Sequence, residues 1–191
     1  MSMDLMKMSP ALQQRVTREL MPGEVVRWAG QPDPSRLMRQ GFLIWFFFIP
    51  WTAFSLFWIW GAAGFRIPDF SGPFSFFPLF GLPFLFIGIG GLASPWWLRV
   101  NAQHTVYVIS NTRAFMLAGK RSVNMISWGP DQLGQISRTE RPDGSGDLVF
   151  DIEMRRGNKG STVEHKRGFM ALRDVRTAES FINALVASRT A

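Results

Sequence analysis

Side chains that could do acid–base or metal chemistry are few in this chain and lie far apart. Its 191 residues include no cysteine and two histidines, His104 and His165. Neither histidine has a carboxylate at metal-ligand spacing. The lack of cysteine excludes a disulfide framework, a thiolate metal site and a cysteine nucleophile. A Gly-x-Ser-x-Gly elbow and a Walker loop are also absent. We therefore expect no catalytic, cofactor-binding or metal-binding residues, and a protein that is not an enzyme.

Three carboxylates lie close together further along the chain. Asp147, Asp151 and Glu153 alternate with large apolar residues at 148, 150, 152 and 154. Alternation of this kind is typical of a half-buried antiparallel strand. We expect the apolar set to face a core and the three carboxylates to lie on the solvated face.

Basic residues form the one cluster that suggests a binding surface. The chain has a formal net charge of +7. An anionic leaflet attracts such residues by about 1 kcal/mol each. The alternative is an ordinary solvated loop whose charge reflects the positive-inside bias of membrane proteins. The candidate patch for anionic lipid or a partner consists of Arg155, Arg156, Lys159, Lys166 and Arg167.

Two uncharged apolar runs dominate the first half of the chain. Residues 40–65 and 70–98 contain no ionisable side chain, and each run exceeds the roughly 20 residues that a spanning helix needs. The remaining chain cannot easily cover two helices that are apolar on every face. The first run also starts too late, and is too long, for a signal peptide. We predict a transmembrane hairpin with spans at about 41–61 and 78–98.

The second run differs from the first in its prolines and glycines. Pro78 and Pro83 predict a helix that begins near Leu82 or is kinked. Gly88 and its neighbours favour close helix packing. Neither run has the buried ionisable groups that mark ion pathways, so the hairpin is expected to be an anchor rather than a pump or transporter.

Residues that flank the runs predict their orientation. Tryptophans favour the headgroup layer, and Lys and Arg favour the cytoplasmic side. The loop between the runs holds only Arg66 and the opposing Asp69, so we expect both termini in the cytoplasm. The predicted interface anchors are Trp58, Trp60, Trp96, Trp97, Arg39 and Arg99.

The predicted domains are residues 1–38, the hairpin at 39–98, and a soluble domain at 99–191. The first should contain a short helix at 10–21 and a strand at Glu24–Trp28. Turn signals every 8–14 residues divide the soluble domain into short strands, as in an antiparallel sandwich or barrel. The strands are expected at His104–Ile109, Arg113–Leu117, Arg121–Trp128, Gln132–Thr139, Asp147–Met154 and from Ser161 towards Met170. An amphipathic helix at 174–188, with Asp174 as its N-cap, should close the open end.

Three segments in this order carry a resemblance to a known family. They are Glu19–Pro32 (ELMPGEVVRWAGQP), Tyr107–Arg113 (YVISNTR) and Gly168-Phe169 ahead of the last helix. The arrangement resembles bacterial membrane proteins with a pleckstrin-homology-like domain. Ser110 and Met21 depart from the commoner Thr and Leu. The resemblance implies an α+β protein of the bacterial inner membrane, with two spans followed by a seven-stranded, partly open barrel capped by a helix.

Fold alone does not give function, so three functional hypotheses remain. The first is a membrane-anchored, non-catalytic binding or scaffold module that recognises a protein partner or anionic lipid headgroups. The second is an accessory subunit of a membrane enzyme or transport complex. The third, a stand-alone enzyme, lacks catalytic residues. Expected partners are membrane lipids and a protein partner or a second copy. Nucleic acid is not expected, because the soluble domain's aromatic residues fall at positions that should be buried.

Overall fold

The chain is an α+β protein in which six α-helices and two antiparallel sheets are described. A computed structural model describes residues 3–66, 76–120, 122–133, 135–156 and 162–190. The chain divides into two compact units. We call Met1–Pro34 together with Asn101–Ala191 the β unit, and Ser35–Val100 the helical unit.

The secondary-structure elements follow one another in an order close to that predicted. The helices are α1 (Met3–Met6), α2 (Pro10–Glu19), α3 (Pro34–Ala62), α4 (Leu82–Leu92), α5 (Ser94–Gln103) and α6 (Val175–Thr190). Two 3₁₀ turns lie at Phe77–Gly81 and Pro130–Leu133. The strands are β1 (Val26–Gly30), β2 (Val106–Ser110), β3 (Ala114–Ala118), β4 (Asn124–Trp128), β5 (Ser137–Glu140), β6 (Gly146–Arg156) and β7 (Thr162–Leu172).

The first sheet has the strand order β1-β2-β3-β4 and is covered on both faces. Along β2, Tyr107 and Ile109 belong to one buried cluster, whereas Val106 and Val108 belong to another. Successive side chains of a strand point to opposite faces, which explains why every residue of β2 is buried. The second cluster contains Leu12 and Val16 of α2. The N-terminal segment is therefore part of the β unit: it supplies an edge strand and a covering helix.

The second sheet has the order β5-β6-β7, and α6 packs with it into the main core. The helix buries the apolar face predicted from its 3.6-residue period, namely Val175, Ala178, Ile182 and Leu185. Asp174 caps the helix, because its Oδ1 accepts the Thr177 N–H at 3.0 Å. This hydrogen bond satisfies one of the free donors in the first turn.

One helix of the helical unit is long and apolar enough to cross a membrane. It covers Ile44–Ala62, and 6% of its most apolar stretch is buried. The segments Phe77–Leu92 and Ser94–Gln103 meet the same test only as a pair, with a bend of 46° between them. Pro95 stands at the start of α5 and has no N–H for the preceding turn, which accounts for the break. Ser94 Oγ is buried at this bend without a hydrogen-bond partner.

Glycines let the helices of this unit approach closely. A methyl group at Gly91 would overlap the Phe48 ring, and one at Gly88 would overlap Thr52. Gly90 lies between them in the sequence, and a methyl group there would have no neighbouring atom within 4 Å. Small residues at such positions allow close backbone contact. Two of the three glycines are thus used for packing within the unit.

Candidate functional site

The best-connected polar group in the β unit is the carboxylate of Glu24, whose side chain is 1% exposed. Its Oε1 accepts hydrogen bonds from Arg113 Nε at 2.9 Å, Ser110 Oγ at 2.7 Å and Thr112 Oγ1 at 3.2 Å. Its Oε2 accepts from Arg113 Nη2 at 3.0 Å and the Met21 N–H at 2.8 Å. A buried charge needs pairing and hydrogen bonds of this kind. The arrangement joins residues more than 80 positions apart.

These contacts hold Glu24 in its ionised form. Burial alone would raise the pKa of its carboxyl. The hydrogen bonds from Arg113, Met21 and Ser110, together with the positive charge of Arg113, outweigh burial and lower the pKa to about 2. At neutral pH, Glu24 is therefore a structural anion and has no proton to give.

Asn111 makes the second connection between the N-terminal segment and the turn from β2 to β3. Its Oδ1 accepts the Val25 N–H at 2.8 Å, and its own N–H donates to the Val25 carbonyl at 3.1 Å. Asn111 thereby pairs with both backbone groups of Val25, the residue before β1, as a residue of a neighbouring strand would. Two of the segments that carried the resemblance are thus joined by hydrogen bonds in one place: Glu19–Pro32 and Tyr107–Arg113.

Tyr107, from the second segment, and Phe169, from the third, form the centre of the core. Their rings stack with centroids 4.6 Å apart. Tyr107 Oη donates to the Met170 carbonyl at 3.1 Å and accepts the Met170 N–H at 3.2 Å. Burial raises the pKa of Tyr107 to about 12. Gly168 has no room for a side chain, because a methyl group there would overlap the Leu148 carbonyl. These groups hold the fold together and are not exposed for catalysis.

The carboxylate set at 147–153 does not share one environment. Asp151 is exposed, as the alternation predicted. Asp147 instead accepts the Ala171 N–H at 2.6 Å. Ala171 has a φ of +54°, an uncommon conformation for a residue with a side chain. The expectation of a solvated Asp147 was wrong, because the irregular end of β7 places a free N–H beside it.

The histidines lie on different elements. His104 is half-buried just after α5, and His165 stands on β7 opposite Glu153. Within the described ranges, no group of three His, Cys, Asp or Glu residues could hold a metal ion.

The predicted basic patch falls on the β6–β7 hairpin. Arg155 and Arg156 are the last two residues of β6. Lys166 of β7 is exposed and pairs with Ile152, while Arg167 is half-buried and pairs with Asp151. Lys159 lies outside the described residues.

The outer half of the same hairpin has an apolar surface that the sequence did not indicate. Leu148 and Phe150 are 0% and 6% exposed, as expected for the core face. Ile152 and Met154 are 47% and 65% exposed. The expectation of burial was wrong for these two, because the pairing of β6 with β7 shifts by one residue between Val149 and Asp151 and turns them to the face opposite Leu148.

Most of the predicted interface anchors in the helical unit lie on its surface. Trp58 is half-buried, with its ring centroid 5.4 Å from that of Phe77. The other five anchors are exposed: Trp60, Trp96, Trp97, Arg39 and Arg99.

Each unit also has a concave site. In the helical unit, a cleft of about 280 Å³ is lined mainly by aromatic side chains, including Trp51, Phe80 and Phe84. In the β unit, a groove of about 620 Å³ is lined by residues that include Lys7, Trp28 and Asp174. The Asp174 carboxylate is already bound to Thr177, which lowers its pKa. The groove thus offers a mixed binding surface rather than a reactive one.

A scan against protein-family models, a search of curated proteins and a search of solved structures each find no match to this chain. The geometry nevertheless separates two kinds of residue. One kind makes hydrogen bonds within the β unit that stabilise the fold: Glu24, Arg113, Tyr107 and Asp147. The surface of the helical unit and the outer half of the β6–β7 hairpin remain open to other molecules.

Proposed function

We propose that this chain is a membrane-anchored, non-catalytic binding module of the bacterial inner membrane. The helical unit is the anchor and crosses the bilayer twice. The β unit is a pleckstrin-homology-like domain at the cytoplasmic face, where it recognises a protein partner or anionic lipid headgroups.

The supporting observation is the apolar surface of the helical unit. Of the described residues, 26 large apolar side chains are exposed, and 20 of these lie between Phe42 and Trp97. Monomeric soluble proteins rarely expose contiguous apolar surface on this scale. Hydrocarbon tails would remove it from water.

Three polar side chains of the helical unit, those of Trp51, Thr52 and Ser55, are hydrogen-bonded to helix carbonyls in a way that suits lipid. Thr52 Oγ1 donates to the Phe48 carbonyl at 2.7 Å, and Ser55 Oγ donates to the Trp51 carbonyl at 2.8 Å. Trp51 Nε1 donates across to the Phe84 carbonyl at 3.0 Å. An unsatisfied polar group costs several kcal/mol in hydrocarbon, so this internal pairing favours insertion.

The case for binding rather than catalysis comes from the β unit. Its antiparallel sheets of four and three described strands, with α6 packed into the same core, support the proposal of a pleckstrin-homology-like domain. The motif residues Glu24, Arg113, Tyr107 and Phe169 are used for packing and internal hydrogen bonds. Because these residues stabilise the interior, the surface of the domain is available for binding.

Alkaline extraction and thiol labelling test the anchor and its orientation. Since the chain has no cysteine, single replacements report cleanly. The chain should stay with membranes in alkaline carbonate. An impermeant maleimide should label Ser71→Cys, between the spans, in spheroplasts, and Ser180→Cys on α6 only after lysis. Extraction into carbonate would overturn the anchor, and the reverse labelling pattern would overturn the orientation.

The accessory-subunit hypothesis is favoured by one feature of the helical unit. Its aromatic cleft and the open side of Gly90 offer places where a helix of another protein could pack. Purification from native membranes in mild detergent separates the two functions. A stoichiometric partner with a known active site would favour the accessory role.

A further inference from the structure

We infer that the groove of about 620 Å³ in the β unit binds the phosphate-bearing headgroup of an anionic membrane phospholipid. We call it the junction groove, because Pro34 and Ala102 in its lining lie at or next to the two points where the chain passes into and out of the helical unit. The inference rests on the proposed function, since it needs the helical unit to span a bilayer. It adds the place of the lipid site and the groups that recognise the lipid.

Chain connectivity keeps the junction groove near the bilayer surface. Pro34 begins α3, and the apolar stretch of that helix begins at Ile44. Ten residues of α-helix cover about 15 Å, and the headgroup layer occupies roughly 5–8 Å beyond the hydrocarbon. The edge of the groove at Pro34 is therefore within about 10 Å of the headgroups. Lipid headgroups are the molecules that a groove in this position meets at the highest local concentration.

The lining of the junction groove suits a molecule that is apolar at one end and charged at the other. Its buried part is apolar: Trp28 is 8% exposed, and Ala102 and Leu172 are each 2% exposed. Its exposed part includes the charged side chains of Lys7 and Arg173. A volume of about 620 Å³ is typical of small-molecule sites. The apolar part can contact the glycerol and the first acyl carbons of a lipid while the cations bind its phosphate.

The charges in the lining favour an anionic ligand. Lys7 and Arg173 are two cations, and the one carboxylate is that of Asp174, whose oxygens already accept hydrogen bonds from Thr177. Arg173 Nε also lies 3.5 Å from Asp33 Oδ2, but the Arg173 side chain is 78% exposed, and exposed pairs of this kind are weak. A guanidinium has five N–H donors, so Arg173 can bind a phosphate beside Asp33. Charge-assisted hydrogen bonds to phosphate are among the strong ones.

Native mass spectrometry of the full chain in detergent tests this site. The chain is mixed with equal amounts of phosphatidylglycerol and phosphatidylcholine that have the same acyl chains. We expect one phosphatidylglycerol to be retained in preference to phosphatidylcholine. Lys7→Gln and Arg173→Gln should each weaken the binding of phosphatidylglycerol about fivefold, since each removes one cation that faces the lipid. Arg18→Gln removes an exposed cation of α2 that is not part of the lining, and this matched control should bind as the unmodified chain does.

A thiol in the lining gives a second, independent measurement. Gln103 is exposed and lines the groove, and the chain has no cysteine. Phosphatidylglycerol should therefore slow the reaction of Gln103→Cys with maleimide, and this protection should disappear when Lys7 and Arg173 are both replaced by glutamine. Ser180→Cys, at an exposed position on α6 outside the lining, should react at the same rate with either lipid.

The opposite outcomes separate this inference from the proposed function. Equal weakening by Lys7→Gln and Arg18→Gln would assign the lipid preference to overall charge and overturn the groove. If glycerol 1-phosphate protects the thiol of Gln103→Cys as well as phosphatidylglycerol does, the ligand is a soluble phosphate ester and the lipid assignment is wrong. A chain that resists alkaline carbonate but shows no preference for phosphatidylglycerol overturns the groove and leaves the anchor. A chain that carbonate extracts overturns both.

Discussion

Replacing Glu24 by glutamine should destabilise the β unit strongly while keeping the shape of the side chain. Glu24 accepts five hydrogen bonds, two of them from Arg113. In whichever orientation the amide settles, its NH₂ group must face N–H or O–H donors, and Arg113 loses its counter-charge. Removing one partner of a fully buried ion pair costs about 3–5 kcal/mol, and the cost here is smaller, about 2–3 kcal/mol, because Arg113 is 14% exposed.

The pKa of Glu24 gives a separate estimate of how much its ionised form stabilises the fold. It falls from 4.5 to about 2 on folding, which corresponds to about 3 kcal/mol at neutral pH. This is an upper figure, because Arg113 is partly exposed and solvent screens its charge. Since the folded pKa is the lower one, the stabilisation is fully present above pH 4.5. It is lost as the pH falls towards 2.

Thiol labelling can measure the effect in the β unit alone. Ala114 is fully buried on β3, and an Ala114→Cys reporter reacts with maleimide only when the sheet opens. With a loss of about 2–3 kcal/mol, Glu24→Gln should speed labelling at pH 7 by roughly 30- to 150-fold. Glu19→Gln, at an exposed position on α2, is the matched control and should leave the rate unchanged.

Acid unfolding provides the second measurement. The thermal midpoint of the unmodified chain in detergent should fall more steeply between pH 4.5 and 2 than that of Glu24→Gln, because only the former has this carboxylate to protonate. A labelling rate within about threefold of the unmodified chain, together with parallel pH curves, would refute the account of Glu24 as a structural anion.

Three further predictions concern packing and domain limits. Gly91→Ala should lower the detergent concentration at which the helical unit unfolds, measured by circular dichroism, whereas Gly90→Ala should not. Gly168→Ala should destabilise the β unit by on the order of 3 kcal/mol, whereas Gly129→Ala, which meets open space, should change its unfolding free energy by less than about 0.5 kcal/mol. Residues 99–191 expressed alone should aggregate, and fusing the segment with β1 back to them should restore a monodisperse species by size exclusion, because β1 contributes Trp28 to the core. A stable, folded 99–191 fragment would contradict that assignment.

Local patterns in the sequence were sufficient to place most elements. The helix predicted at 174–188 is observed as α6, and Asp174 caps it. The predicted strand at Asp147–Met154 is observed as β6. The strand predicted at Gln132–Thr139 is partly wrong, because a 3₁₀ turn occupies its start and only its end belongs to the short β5. Helical and strand periodicities are properties of neighbouring residues, so a single sequence displays them.

Several decisive features came only from the tertiary structure. The sequence predicted a strand near Trp28 but not its pairing with β2 across some 80 residues. It showed Glu24 and Arg113 as separate motif positions rather than as one buried pair.

Alternation predicted that Ile152 and Met154 share a face with Leu148. The pairing of β6 with β7 instead shifts by one residue between Val149 and Asp151, which turns the two side chains to the opposite face. Sequence pattern predicts which side chains of a regular strand point the same way, because backbone geometry is local. Which of them are covered depends on the length and position of distant elements, and those are decided only when the chain packs.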